Sequence, residues 1–120
     1  MSTSDTCCSI HPYFKVQEGK MPAFKSLCEE FVQRTQSETD CLYYGFSFEN
    51  DVAHCREAYT DAQGLLTHID NVGDLIARAL EISELERLEL HGPKEELDKL
   101  RAPLHDLNAQ FFTLEYGFRK

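Results

Sequence analysis

Apolar positions along the chain change period several times, and each change marks an element. From Ser9 to Gln17, Ile10, Pro12, Phe14 and Val16 alternate with His11, Tyr13 and Lys15, the period of a strand. Pro12 has no N–H for a ladder, which predicts an edge strand or a bulge. After the turn at 18–20, Phe24, Leu27, Cys28, Phe31 and Val32 recur at helical spacing, predicting a helix over 21–36 with Pro22 in its first turn. Cys41 to Glu49 alternates again, with Leu42, Tyr44, Phe46 and Phe48 on one face and Tyr43, Gly45 and Ser47 on the other. Asn50-Asp51 is a turn, and Val52 to Tyr59 returns antiparallel. Thr60 or Asp61 caps a helical stripe through Leu65, Leu66, Ile69, Val72, Ile76, Ala79 and Leu80, with a break over 71–74. Glu84 to His91 is a fourth strand with Leu88 and Leu90 inward. A helix over 94–101 opens at Gly92-Pro93 and stops before Pro103, and a fifth strand spans 110–118, with Phe112, Leu114, Tyr116 and Phe118 on one face.

The order β-α-β-β-α-β, followed by α-β, spells an α+β ferredoxin-like unit with a C-terminal extension. Residues 9–120 form a single domain behind a flexible leader, 1–8. Helices cover one face of an antiparallel sheet, and the other face, with Tyr13 and Tyr43 on it, is an aromatic patch that asks for a cover. A second copy of the chain is the simplest one, giving a homodimer.

Composition narrows the partners. At 120 residues there is room for one core. Twelve basic residues against 21 acidic ones, a net charge of -9, disfavour nucleic acid and anionic membranes. No apolar run is long enough to span a bilayer, and the N-terminus lacks the basic start and apolar core of a signal peptide, so the expectation is a cytoplasmic protein. The cysteines, Cys7, Cys8, Cys28, Cys41 and Cys55, are odd in number and irregular in spacing; neither a disulfide framework nor a zinc site is expected, and buried thiols are. Phosphate loops and the familiar metalloprotease, hydrolase and calcium-binding motifs do not occur.

One string goes further. Glu57, Tyr59, Asp61 and His68 are spaced so that the third strand ends in Glu-x-aromatic-x-Asp and a His follows about two turns into the next helix. This resembles the antibiotic biosynthesis monooxygenase-like family of dimeric α+β barrels, with Tyr59 where that family typically has Trp. The resemblance covers roughly residues 9–91 and implies a homodimer whose sheets face each other. Members with known chemistry oxidise phenolic or quinol-like aromatics with dioxygen and no cofactor. Others degrade haem with a set that includes a Trp, which this chain lacks.

On that reading the chain is a cofactor-independent monooxygenase of a small aromatic, with no metal. His68, at the edge of its helix stripe, is the expected base. His11, Tyr13, Tyr44, Tyr59, Glu57 and Tyr116 are candidates to bind substrate, the tyrosines through their hydroxyls, and Glu57 to orient His68 or an arginine such as Arg56 or Arg78. His54 and His105 read as surface residues. The bland alternatives are a boundary histidine, packing tyrosines and a solvent-side Glu57 in a cross-strand ion pair. At the level of the whole chain, the alternatives are a non-catalytic small-molecule-binding or stress-related homodimer, and a sheet face that serves a different protein.

Overall fold

The computed structural model describes residues 3–120. Residues 1 and 2 of the expected leader lie outside the described residues. In chain order the elements are β1 (Cys8–Val16), α1 (Met21–Thr35), β2 (Cys41–Glu49), β3 (Val52–Tyr59), α2 (Ala62–Asn71), α3 (Gly73–Glu81), β4 (Ser83–Gly92), α4 (Lys94–Arg101) and β5 (Gln110–Thr113), with a 3-10 turn, His105–Leu107, before β5. The strands form one sheet in the order β2-β3-β1-β4-β5. This is the expected α+β ferredoxin-like unit with its extension. No helix among the described residues is long and apolar enough to cross a membrane.

Alternation in β1 sends Cys8, Ile10, Pro12, Phe14 and Val16 to the helix-covered side. There the core divides into two lobes. One packs Phe14, Val16 and Ala53 against Phe24, Leu27 and Phe31 of α1 and Leu75 and Ala79 of α3. The other packs Cys8, Ile10, Tyr59 and Leu90 against Leu65 of α2 and Leu97 and Leu100 of α4. Cys8, Cys28 and Cys55 are buried. The predicted break separates α2 from α3, where Asn71 and Gly73 flank Val72.

Three details refine or overturn the sequence-based expectation, each for a local reason. First, of the two alternatives Pro12 raised, the strand carries the irregularity and is not at the edge: β1 lies between β3 and β4. The proline is absorbed by a gap, because β1 pairs β3 at Ile10–Glu57 and Tyr13–His54 and skips His11 and Pro12 between them. A register shift against β4 follows at Tyr13/Phe14. Second, β2 bulges at Leu42: Cys41 pairs Tyr59 and Tyr43 pairs Ala58. The extra residue breaks the alternation, so Leu42 is exposed and Cys41 joins the core beside Tyr59. Third, β5 is short, and it pairs β4 in parallel, so the sheet is mixed. A β-α-β crossover through α4 dictates the parallel sense. β4 ends at Gly92, ahead of a proline that opens α4. Leu114 N–H takes Gly92 O at 2.7 Å, and no β4 edge remains for the residues beyond. Tyr116 and Phe118 therefore lie outside the strand and are exposed.

The uncovered face carries rings in a row. Tyr13 stacks on His54 at 4.3 Å between centroids, His54 on His11 at 5.7 Å, and His91 on Phe112 at 4.8 Å, with His11 edge-on to His91 at 4.9 Å. Arg56 covers the ring of Tyr43 on the same face. His54 is half-buried, its Nδ1 3.0 Å from Pro12 O, a carbonyl in the stretch of β1 that skips β3.

Candidate active site

A cavity of about 330 Å³ lies between the two lobes, walled by Ile10 and Phe14 of β1, Phe31 of α1, Phe46 of β2, Ile69 of α2, Ile76 of α3 and Leu85 and Leu88 of β4. It has the size of a small-ligand site and an apolar wall. Polar groups enter at one end only, from Tyr44, Glu57 and His68, with the Cys55 thiol beside them. At the other end Leu80 and Leu107 line it while each is about 40% exposed, so the cavity opens there.

His68 is 3% exposed and stands between two carboxylates. Its Nδ1 is 2.9 Å from Glu38 Oε2 and its Nε2 is 3.3 Å from Glu57 Oε1. The Glu38 carboxylate accepts from Nδ1–H, which leaves Nε2 as the basic nitrogen of the neutral ring. The ring is packed between Tyr44 and Tyr59, at 5.2 and 5.0 Å between centroids.

Helix α2 delivers His68 from a doubly capped start. The Asp61 side chain accepts from Gly64 N–H at 2.8 Å, and Glu96 of α4 accepts from Ala62 N–H at 3.0 Å. Gly64 lets this turn press on the sheet: a Cβ there would meet Asp40 Cβ at 2.8 Å and Tyr59 Cβ at 3.4 Å. Glu38 is held in turn by Asn71, whose amide donates to Oε2 at 2.8 Å and to Arg34 O at 3.3 Å. Arg34 itself donates to Asn71 O and pairs with Asp74.

Glu57 is buried, and burial pushes its carboxyl above the usual carboxylate range, with His68 and the Tyr59 hydroxyl pulling the other way. Tyr59 donates to Glu57 Oε1 at 2.6 Å. Burial, then the Glu57 charge, raises both Tyr59 and Tyr44, so both remain neutral phenols and hydrogen-bond donors. Burial also raises the Cys55 thiol, which makes it a poor nucleophile. The arrangement is a base with a fixed tautomer, a carboxyl biased toward its acid form, and a phenol donor, all at one end of an apolar-walled pocket.

Of the residues singled out in the sequence, His68, Glu57 and Tyr44 line this cavity and Tyr59 stands directly behind Glu57. The solvent-side alternative for Glu57 fails, since its strand position faces the helices. Arg56 and Arg78 are elsewhere, over Tyr43 and beside Glu30. His11 and Tyr13 occupy the uncovered face, and Tyr116 lies past β5 beside a shallow groove with Thr3–Thr6 and Glu95. Glu38 was not foreseen. It sits in the α1–β2 loop, thirty positions before its partner, and no spacing rule links the two.

Comparison with known proteins agrees with this architecture. No family profile and no curated protein matches the chain. Among solved structures it is 48% identical to MupZ from Pseudomonas fluorescens, with a TM-score of 0.90, covering 95% of this chain and 94% of that one. A conserved protein from Methanosarcina mazei follows at 22% identity and a TM-score of 0.65, over 72% of this chain and 92% of its own. A Caulobacter crescentus protein named after the antibiotic biosynthesis monooxygenases is 19% identical at a TM-score of 0.65, over 72% of this chain and 88% of its own. The last two share the fold alone. With a full-length relative at this identity the chain belongs to the same family as MupZ, and it has the fold of the proteins named after the antibiotic biosynthesis monooxygenases.

Proposed function

We propose that the chain is an acid–base enzyme in which His68 removes a proton from a small, largely apolar substrate. The observation that carries this is a buried imidazole that lines an apolar cavity, its Nδ1 committed to Glu38 and its Nε2 beside the Glu57 carboxyl at 3.3 Å. The resemblance to the antibiotic biosynthesis monooxygenases suggests cofactor-free oxygenation of a small aromatic such as a quinol. His68 takes the ring hydroxyl proton, Tyr44 donates a hydrogen bond to the resulting anion, and the electron-rich anion reduces dioxygen. One oxygen atom enters the ring and the other leaves as water with two substrate hydrogens, the quinol supplying all four electrons and ending as the hydroxyquinone. Glu38 stabilises the imidazolium formed on the way, and a positioned base of this kind is worth ~10²–10⁴-fold in rate.

A redox-neutral proton transfer is the second reading, and Glu57 favours it. A carboxyl biased toward its acid form is a proton donor, which oxygenation does not require. Oxygen uptake with a panel of hydroquinones separates the two. Consumption that disappears in His68→Ala supports oxygenation; unchanged turnover in that variant removes His68 from the mechanism. Solvent-hydrogen incorporation into substrate without oxygen uptake supports the second reading, and ligand binding with neither supports a non-catalytic binding protein.

The working unit on this proposal is a homodimer. The row of rings on the uncovered sheet face supports it, since a second copy would bury them.

A further inference from the structure

We infer that the cavity selects uncharged ligands: an apolar body led in by one oxygen function that meets Glu57, His68 and Tyr44, with any charged part left outside the mouth at Leu80 and Leu107. This rests on the acid–base reading for which atoms the ligand meets, and deepens it by naming the substrate class.

The argument is electrostatic. Among the described residues, no lysine or arginine lines the cavity, so a carboxylate or phosphate inside it would have no cationic partner. It would instead approach the Glu38 carboxylate behind His68, across a low-dielectric gap where like charges repel strongly. Stripping water from an unpaired anion costs more than the apolar wall returns. A cationic ligand fares little better. Glu38 is already spent on His68 and Asn71, and Glu57 is held by Tyr59 and biased toward its neutral form by burial. A neutral hydroxyl, carbonyl or ether oxygen finds what an ion does not: a phenol donor in Tyr44, an acid in Glu57 and an acceptor nitrogen in His68. The volume, about 330 Å³, holds a small ring system, and a longer ligand would continue out past Leu107.

Three ligands of one shape test this by calorimetry at pH 7: 2-naphthol, 2-naphthoate and 2-naphthylmethylammonium. The expected result is 2-naphthol binding at least tenfold tighter than either ion. Leu107→Trp and Leu80→Trp, both at exposed positions, should each weaken 2-naphthol at least tenfold by narrowing the mouth. Equal or tighter binding of either ion, no binding of 2-naphthol, or indifference to both tryptophans overturns the inference. Wild-type protein that shows this preference yet turns over none of the hydroquinones, with no solvent-hydrogen exchange, would refute the acid–base reading and leave this inference standing; wild-type protein that catalyses but prefers the anion would do the reverse.

Discussion

Glu57 is a buried carboxyl, 4% exposed, and its protonation is coupled to folding. Because its folded pKa is raised, its protonated form contributes stability below the ordinary carboxylate range, and that contribution is lost as pH rises through the folded value. Wild type should therefore lose stability relative to Glu57→Gln between acidic and neutral pH, read from denaturant midpoints of both proteins across that range. Tyr59→Phe removes the donor to Glu57 Oε1 and should cost about 1–3 kcal/mol, since a buried acceptor loses its partner. Glu38→Gln keeps the loop but withdraws the charge opposite Nδ1. On the proposed mechanism it should lower turnover at least tenfold with little change in ligand affinity, whereas a merely structural Glu38 would leave the rate intact.

Helix α2 is the element on which the site depends, since it must hold His68 against the sheet while its N-terminus is buried. Asp61→Ala removes one cap and should cost ~1 kcal/mol in a denaturation experiment. Gly64→Ala is the sharper test. Its new Cβ collides with Asp40 Cβ, an atom fixed to the backbone, so the helix must back away, at about 1–3 kcal/mol. A measurable loss of activity should accompany it, because His68 lies one helical turn further along the same element. Ala at an exposed helix position without such a neighbour would stabilise instead.

At the scale of the whole molecule, the sheet has one face sealed by helices and one bearing Tyr13, His54, His11, His91 and Phe112 side by side. The homodimer proposal predicts a sedimentation mass of two chains at micromolar concentration. Tyr13→Asp with Tyr43→Asp should shift it to one chain while the circular dichroism spectrum is unchanged. A wild-type monomer at that concentration would contradict the dimeric barrel.

Period alone located the elements, because a strand or helix that buries one face must repeat every two or about 3.6 residues, whatever lies across from it. Thus α1, β2, β3 and α4 begin and end within a residue or so of their expected bounds, and the break before α3 was visible at Asn71–Asp74. Contacts between distant segments left no such trace. Pro12 sits in a central strand because a gap opposite β3 accommodates it, and β5 stops where β4 runs into Pro93. His68 and Glu57 were legible as a pair, eleven positions apart on consecutive elements, but Glu38 was not. Its approach to Nδ1 follows from α1, the loop after it and α2 meeting at one end of the sheet. Folding decided which carboxylates share the imidazole, and whether either is dry, since burial belongs to an arrangement in space and carries no signature in the order of residues.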